Sequence, residues 1–480
     1  MALKWTGKSK GALANSANVQ PKFTLQRLGQ AIGLCTVAGA VGTMAMMPVT
    51  AQAMKTDFGM EYRATAFANQ TDGFDSATNP NGSDSDTGFA NLIRLKGNFL
   101  DENTGISVYT SVELAGDRWV GDDHKQGSPV PSYSAGDNTE NVRLDLGYVQ
   151  IPVGHTIFRI GRQAASYNNC FLVCDDRRDR ILVIQPLSKS NTIVAGYDRR
   201  QDNTAYENID NGDQAYLGIV SKLGGWNASL LYVKWMNNYD GPLGGGAYAL
   251  SNVDMFSGYV SGDVGPVKTT VGFNWEADGN VKAPGTDGQV FTDSSYAAYL
   301  RLEGNAGPLG LGLQLIGSRD GGLISGGFDT WSSMINNNPD ATANASSMYT
   351  MGALGADGKL GMKGADQSLI IGKVSYNFTP KFSVTAAVGN LRVDNGDNLD
   401  VLSAVSYPAY YIPTTGDDDS MVYDLKFAYK VNKVVNTWLS LGMIEGNDVA
   451  HTAGNSLTGQ PGVNMTDDVK AASLNMTVDF

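Results

Sequence analysis

Residues 421–431 have the sequence MVYDLKFAYKV, in which apolar and aromatic side chains recur at every second position. Successive side chains of a β-strand point to opposite faces, whereas a helix would group its apolar residues three and four positions apart. The stretch therefore predicts a strand with one apolar and one polar face, as in a barrel wall between lipid and water. The apolar set is Met421, Tyr423, Leu425, Phe427, Tyr429 and Val431, and the opposing set includes Asp424, Lys426, Ala428 and Lys430.

The same two-residue period recurs along the chain. Residues 267–276 and 473–480 alternate in the same way, as do residues 141–149. In 141–149 the expected lipid-facing residues are Val142, Leu144, Leu146 and Tyr148, and the opposing ones are Arg143, Asp145 and Gly147. A repeated pattern of this kind predicts one barrel domain rather than several soluble domains.

The connections alternate between short and long, which is typical of outer-membrane barrels. Counting strands between them predicts an all-β, antiparallel transmembrane β-barrel of 18 strands over residues 54–480. Sixteen strands is the alternative, because the segments near 180–187 and 253–261 are weak. The long connections fall near 70–88, 116–140, 164–178, 200–212, 237–252, 277–293, 319–366, 394–419 and 447–467.

Residues 1–53 differ from the rest and predict a signal peptide. They carry five basic residues and no acidic one, an apolar run over 31–47, and the small-residue site Ala51-Gln52-Ala53. The alternative is a single anchoring helix, but the run is shorter than the roughly 20 residues such a helix needs. Removal of the leader takes the formal net charge from −13 to −13 − 5 = −18. A chain this acidic is not expected to bind nucleic acid, whose phosphates require a basic surface.

Cys170 and Cys174 are the two cysteines that remain after the leader is removed. In an exported protein the default expectation is a disulfide between them. Free thiols or a metal site are the alternatives, although two thiolates seldom suffice for a metal.

Four stretches resemble known outer-membrane porins. The chain ends on Phe480 after alternating apolar residues, which resembles the strand by which barrels are recognised by their assembly machinery. Residues 92–99, LIRLKGNF, resemble the second strand of general trimeric porins, and 159–163, RIGRQ, resemble the end of their fifth strand. The mature chain, with NNCFLVCDDRRDR at 168–180, most resembles the homotrimeric porins of sulfate-reducing bacteria.

This resemblance implies an outer-membrane homotrimer with three independent channels and an inward-folded third loop. In such porins, acidic groups of that loop face a basic ladder on the wall. The expected constriction therefore combines loop and wall residues. The loop residues are Asp175, Asp176, Arg177, Arg178, Asp179 and Arg180, and the wall residues are Arg63, Arg94, Lys96, Arg143, Arg159 and Arg162.

Two of these expectations carry alternatives. Arg162 lies three residues from Arg159, so in a regular strand the two side chains would point to opposite faces. Arg162 must then lie beyond the lipid band, or a bulge turns it to the lumen; we favour a bulge. The charge run 175–180 is alternatively a self-neutralised, solvated surface cluster.

The expected function is passive diffusion of small hydrophilic solutes through a water-filled channel, with a lean toward small anions. Lumen-side basic groups favour anions, whereas the net charge favours cations; charges at the narrowest point should dominate because low-dielectric walls focus their field. No enzymatic activity and no cofactor are expected. Calcium held by loop carboxylates, or bridging them to lipopolysaccharide, is a weaker alternative for Asp84, Asp86 and Asp417-Asp418-Asp419, which lack a calcium-loop spacing.

Two rival functions remain open. A barrel lipase or protease would need a histidine beside a nucleophile or acid, and the histidines are His124, His155 and His451. A surface or structural barrel that conducts nothing would need a plugged lumen, whereas barrels of this strand number usually leave a channel.

Overall fold

In the computed structural model, eighteen strands of the described residues form one closed antiparallel sheet. The sixteen-strand alternative is wrong, because both weak segments lie within wall strands. The structure describes residues 54–71, 85–114, 142–199, 211–237, 253–277, 280–283, 286–289, 294–319, 322–325, 327–335, 366–394, 418–445 and 468–480. The predicted signal peptide, residues 1–53, lies outside this part and stays a prediction.

The wall strands follow one another in chain order, and a small separate hairpin (β12 and β13) lies in the connection between β11 and β14. Their bounds are β1 Met54–Thr71, β2 Ser85–Asp101, β3 Ser107–Glu113, β4 Arg143–Val153, β5 Thr156–Tyr167, β6 Val173–Pro186, β7 Asn191–Arg199, β8 Asn211–Leu223, β9 Trp226–Asn237, β10 Val253–Val264, β11 Val267–Glu276, β12 Asn280–Ala283, β13 Thr286–Gln289, β14 Ser295–Ala306, β15 Leu309–Arg319, β16 Asp366–Asn377, β17 Phe382–Asp394, β18 Asp418–Lys430, β19 Val435–Glu445 and β20 Val469–Asp479.

The barrel closes where the first strand meets the last. β1 pairs with β20 from Glu61–Asp479 to Thr71–Val469. Phe480 extends this seam, since its backbone N–H donates to Met60 O at 3.1 Å and its carbonyl accepts from Met60 N at 2.7 Å. A closed sheet leaves no unpaired edge, which is the condition for placing strands in lipid.

The two faces of the wall follow the predicted alternation. On β11, Val271 and Phe273 are 49% and 42% exposed on the outer face, whereas Asn274 is 1% exposed on the inner face. One strand departs from the prediction: the β3–β4 register shifts at Ser111/Val112. This irregularity turns Leu146 and Tyr148 to the inner side together with Asp145, so the expected outward position of these two residues is wrong.

Short turns join the strands at one rim. Gly154, Gly224, Gly265 and Gly307 occupy them with φ of 60° to 62°, a left-handed conformation that glycine adopts without steric cost. No helix in the described residues is long and apolar enough to cross a membrane.

Candidate functional site: the lumen constriction

The upper parts of β5 and β6 leave the wall as a two-stranded hairpin. β5 pairs with β4 only as far as Arg162, and β6 pairs with β7 only from Asp179 onward. Between these points, residues 163–178 pair with one another among the described strands. We call residues 163–178 the lumen hairpin. The expectation of a long loop over 164–178 needs correction, because the chain continues as strand and the run Asp175–Arg180 lies on β6.

The tip of the lumen hairpin lies against the far wall. The Asn168 amide donates to Ser257 Oγ at 3.0 Å, to the Phe273 carbonyl at 2.9 Å and to Asn274 Oδ1 at 3.1 Å. Ser257 and Asn274 are each 1% exposed and belong to the inner faces of β10 and β11. The hairpin therefore folds inside the barrel rather than over its rim.

The turn of the hairpin has a backbone conformation that few residues accept. Asn168, Asn169 and Cys170 have φ of 52°, 52° and 69°. Asparagine tolerates this left-handed region better than most residues, which explains the Asn-Asn pair. A disulfide joins Cys170 to Cys174, so the predicted pairing is confirmed and the free-thiol and metal alternatives are wrong for this structure.

Each face of the hairpin is held by a carboxylate of the wall. On one face Arg178 contacts Asp198 of β7, a fully buried side chain that also pairs with Arg180 of β6 just outside the hairpin. On the other face Arg177 Nε lies 2.6 Å from Asp145 Oδ1 of β4. In these two contacts the hairpin supplies the cation and the wall supplies the anion. Asp176 of the hairpin pairs locally with Arg178 at 2.9 Å, and Asp179, just outside the hairpin, lies 3.9 Å from Arg162.

The predicted wall cations are brought together on β1 and β2, but each is paired. Arg63 and Lys96 contact Glu61 at 2.5 and 2.7 Å. Arg94 lies 3.4 Å from both Glu113 and Asp145. These carboxylates largely neutralise the positive charge of Arg63, Arg94 and Lys96. Alternation alone could have revealed Glu61 and Glu113, because they share the inner face of their strands.

Arg159 and Arg162 point to opposite faces of β5. Arg159 hydrogen-bonds to Gln150 Oε1 at 2.8 Å and lies over the Tyr148 ring, on the inner face. The Arg162 side chain points to the opposite face of β5 and is only partly buried, and the β4–β5 pairing has no register shift. The bulge is therefore wrong; Arg162 ends the pairing of β5 with the wall, although β5 itself continues to Tyr167. The side chains of Arg143 and Asp175 lie outside the described part.

A second element inside the barrel was not assigned a role from the sequence. Residues 322–335 belong to the connection between β15 and β16, and we call them the inner segment. Ser325 N donates to the Phe171 carbonyl of the hairpin tip at 2.9 Å, and Ser333 N donates to Asp424 Oδ1 on β18 at 2.6 Å. The inner segment thus links the hairpin tip to the opposite side of the wall.

The hairpin tip and the inner segment share one apolar cluster within the lumen. Phe171 is fully buried, with its ring centroid 4.7 Å from that of Tyr299 and 4.8 Å from that of Phe328. No alternation predicts this cluster, because its partners come from a loop and from inner-facing positions that elsewhere are polar. Its buried members are Phe171, Ala297, Tyr299, Ile316, Ile324, Phe328, Trp331, Met334, Ile335, Leu369, Ile371, Ala387, Leu391, Val422, Ile444 and Ala471.

Within the described residues, no group of three His, Cys, Asp or Glu side chains could hold a metal ion. Asp419 instead accepts a hydrogen bond from Asn390, and Asp84 and Asp417 lie outside the described part. Asp86 and Asp418 belong to β2 and β18, although their side chains are not described. His155 occupies the β4–β5 turn, while His124 and His451 lie outside the described residues.

Comparison with known proteins relates this chain to solved outer-membrane channels by shape rather than by sequence. No protein-family model matches the chain. No curated protein matches it either. Pseudomonas aeruginosa OpdK with vanillate superposes with a TM-score of 0.54 at 11% identity, over 88% of this chain and 98% of that chain. P. aeruginosa OccK9 (OpdG) and a BenF-like porin from Pseudomonas fluorescens Pf-5 each give a TM-score of 0.54 at 12% identity, with the same coverage. At these identities the likeness shows the fold: an eighteen-stranded barrel of the kind that these outer-membrane porins share.

Proposed function

We propose that this protein is an outer-membrane porin through which small hydrophilic solutes diffuse passively. One observation carries the proposal: a closed eighteen-stranded barrel, apolar outside, has a hairpin folded into its lumen and fixed at both faces and at its tip. A channel needs a rigid constriction rather than a nucleophile, and this arrangement supplies one.

We further propose that the channel favours small anions. Arg159 hydrogen-bonds to Gln150, and Arg301 donates to Gln314 Oε1 and to the Asp329 carbonyl, each at 2.6 Å. Among the described residues, the acceptors of these hydrogen bonds are neutral, and Glu303 lies close enough to Arg301 to interact with its charge. Charges inside the lumen should outweigh the acidic net charge of the chain, because salt screens distant groups over about 10 Å. The solved OpdK with vanillate, an organic acid, is in keeping with this class of solute.

The remaining assignments belong to the same proposal. The exported chain would lose residues 1–53, present Phe480 to the barrel assembly machinery, and contact outer-membrane lipid and lipopolysaccharide. The resemblance supports a homotrimer. The constriction would be lined by Arg94, Lys96 and Arg159, by the hairpin arginines Arg177 and Arg178 and by Arg180 of β6, with Asp176 and Asp179 at its margin. Arg143 and Asp175 stay predicted members of the same site.

Liposome swelling with graded neutral and charged solutes, together with planar-bilayer recording, tests the proposal. We expect stepwise conductance, a sharp upper size limit for sugars, and faster entry of small organic anions than of cations of equal size. A folded barrel that passes no ions would contradict the channel and favour the structural barrel. Lipase or peptidase activity above background would favour the enzyme instead.

A further inference from the structure

Asn274 contacts both lumen elements at once. Its Nδ2 group donates to the Phe171 carbonyl of the hairpin tip at 3.2 Å and to the Leu323 carbonyl of the inner segment at 2.9 Å. Its Oδ1 accepts from Asn168 Nδ2 at 3.1 Å and from Ser257 Oγ at 2.7 Å. A primary amide has two donor hydrogens and two acceptor lone pairs, so every hydrogen-bonding site of this side chain is used.

Asn274 lies on a rigid part of the wall, so its hydrogen bonds can fix the two lumen elements in place. The residue lies on β11, is 1% exposed, and sits in a wall strand that is paired on both sides, with β10 and β14. The wall is therefore a rigid support, whereas the hairpin tip and the inner segment are attached to it by side chains and by each other. A buried amide that lost its partners would leave polar groups unsatisfied, which is costly in a dry interior.

We propose that Asn274 is the positioning residue that couples the lumen hairpin and the inner segment into one constriction. The inference rests on the proposed channel function and adds a mechanism to it. When the amide holds both carbonyls, the hairpin tip and the inner segment are fixed to the same point of the wall and move together. Loss of the amide removes the wall attachment that both elements share, although they lie far apart in sequence.

The test replaces Asn274 with aspartate, an isosteric side chain that cannot donate to the Phe171 and Leu323 carbonyls when ionised. Hydrogen exchange of the purified barrel in lipid is followed by mass spectrometry in peptides from 163–178 and 322–335. We expect exchange in both peptides to accelerate roughly 10- to 100-fold, while peptides from β11 keep their protection. In bilayers the variant should pass larger sugars and show several conductance levels instead of one.

Asn475→Asp is the matched control. Asn475 is also a buried inner-facing asparagine, at 2% exposure, and it bonds to Thr65 and Ser473 of the wall rather than to either lumen element. This variant should leave exchange in both peptides unchanged. Acceleration in one peptide alone, or in neither, in folded Asn274→Asp would overturn the coupling.

Asn168→Ala keeps the proposal testable if Asn274→Asp does not assemble. It removes the hairpin amide that donates to Asn274, Ser257 and the Phe273 carbonyl, and it leaves the amide of Asn274 intact. We expect faster exchange in 322–335 as well, although Asn168 itself belongs to the hairpin; unchanged exchange there would refute the coupling. A wild-type barrel that does not conduct would instead refute the channel, and the exchange measurement would still decide the role of Asn274.

Discussion

Arg180 binds Asp198 through two parallel hydrogen bonds, with Nε donating to Oδ1 at 2.9 Å and Nη2 donating to Oδ2. This forked arrangement joins β6, just below the lumen hairpin, to β7 in a site where the carboxylate has no solvent exposure. Arg178 donates to the same carboxylate, so one buried anion holds two cations. The attachment of the hairpin thus depends on a residue outside the hairpin.

Replacing Asp198 with asparagine should loosen the hairpin. The change leaves the buried Arg180 guanidinium without its anion and leaves Arg178 with Asp176 as its remaining anion, and breaking a buried pair costs about 3–5 kcal/mol. We expect a lower midpoint for loss of the compact barrel in heat-modifiability gels and noisier single-channel currents. Asp179→Asn is the control, because the Asp179 side chain is 65% exposed and its pair with Arg162 is worth at most about 1 kcal/mol. Equal stability of the two variants would contradict the anchoring role of Asp198.

Replacing Arg159 and Arg301 with glutamine should move the reversal potential in a salt gradient toward cation preference. Each guanidinium contributes a charge to the lumen, and one charge at about 4 Å in water is worth about 1 kcal/mol. That energy corresponds to roughly a fivefold change in the ratio of anion to cation permeability. Arg162→Gln, which lies on the opposite strand face, should change the ratio little. If the reversal potential changed in Arg162→Gln and not in the Arg159 and Arg301 variants, the proposed anion preference would be refuted.

The sequence was informative wherever one strand face meets lipid. The alternation in 421–431 and 267–276 correctly placed Asp424, Lys426 and Asn274 on the inner face, because burying one strand face in lipid fixes the register. It failed at Leu146 and Tyr148, since a register shift in one strand reverses parity without a clear mark in the sequence. The contact of Arg178 with Asp198 could not be predicted either, because Arg178 lies beyond the end of the β6–β7 pairing, whereas Arg180 is the register partner of Asp198.

Reducing the Cys170–Cys174 disulfide should increase current noise. Three successive residues of the turn, 168–170, hold left-handed φ values, each costing about 1–2 kcal/mol outside glycine. Opening the disulfide removes a covalent restraint on this turn, so the tip should sample more positions. Single-channel records before and after a thiol reductant measure the effect. The double variant Cys170→Ser, Cys174→Ser should be noisy from the start and insensitive to the reductant; a quiet, unresponsive double variant would show that the disulfide does not affect the pore.

Truncating Phe328 to alanine should widen the channel. Its ring lies 4.8 Å from Phe171 and 4.9 Å from Tyr299, and it is fully buried between the inner segment and the hairpin tip. Removal of a buried phenylalanine ring costs about 3–5 kcal/mol, which exceeds the net contribution of the few hydrogen bonds that join the two elements. We therefore expect faster swelling with sugars just above the wild-type size limit. Phe256→Ala is the control, because that ring is on the lipid-facing side of β10 and should affect stability without changing the size limit. An unchanged limit in Phe328→Ala would mean that the solute path does not pass beside the inner segment.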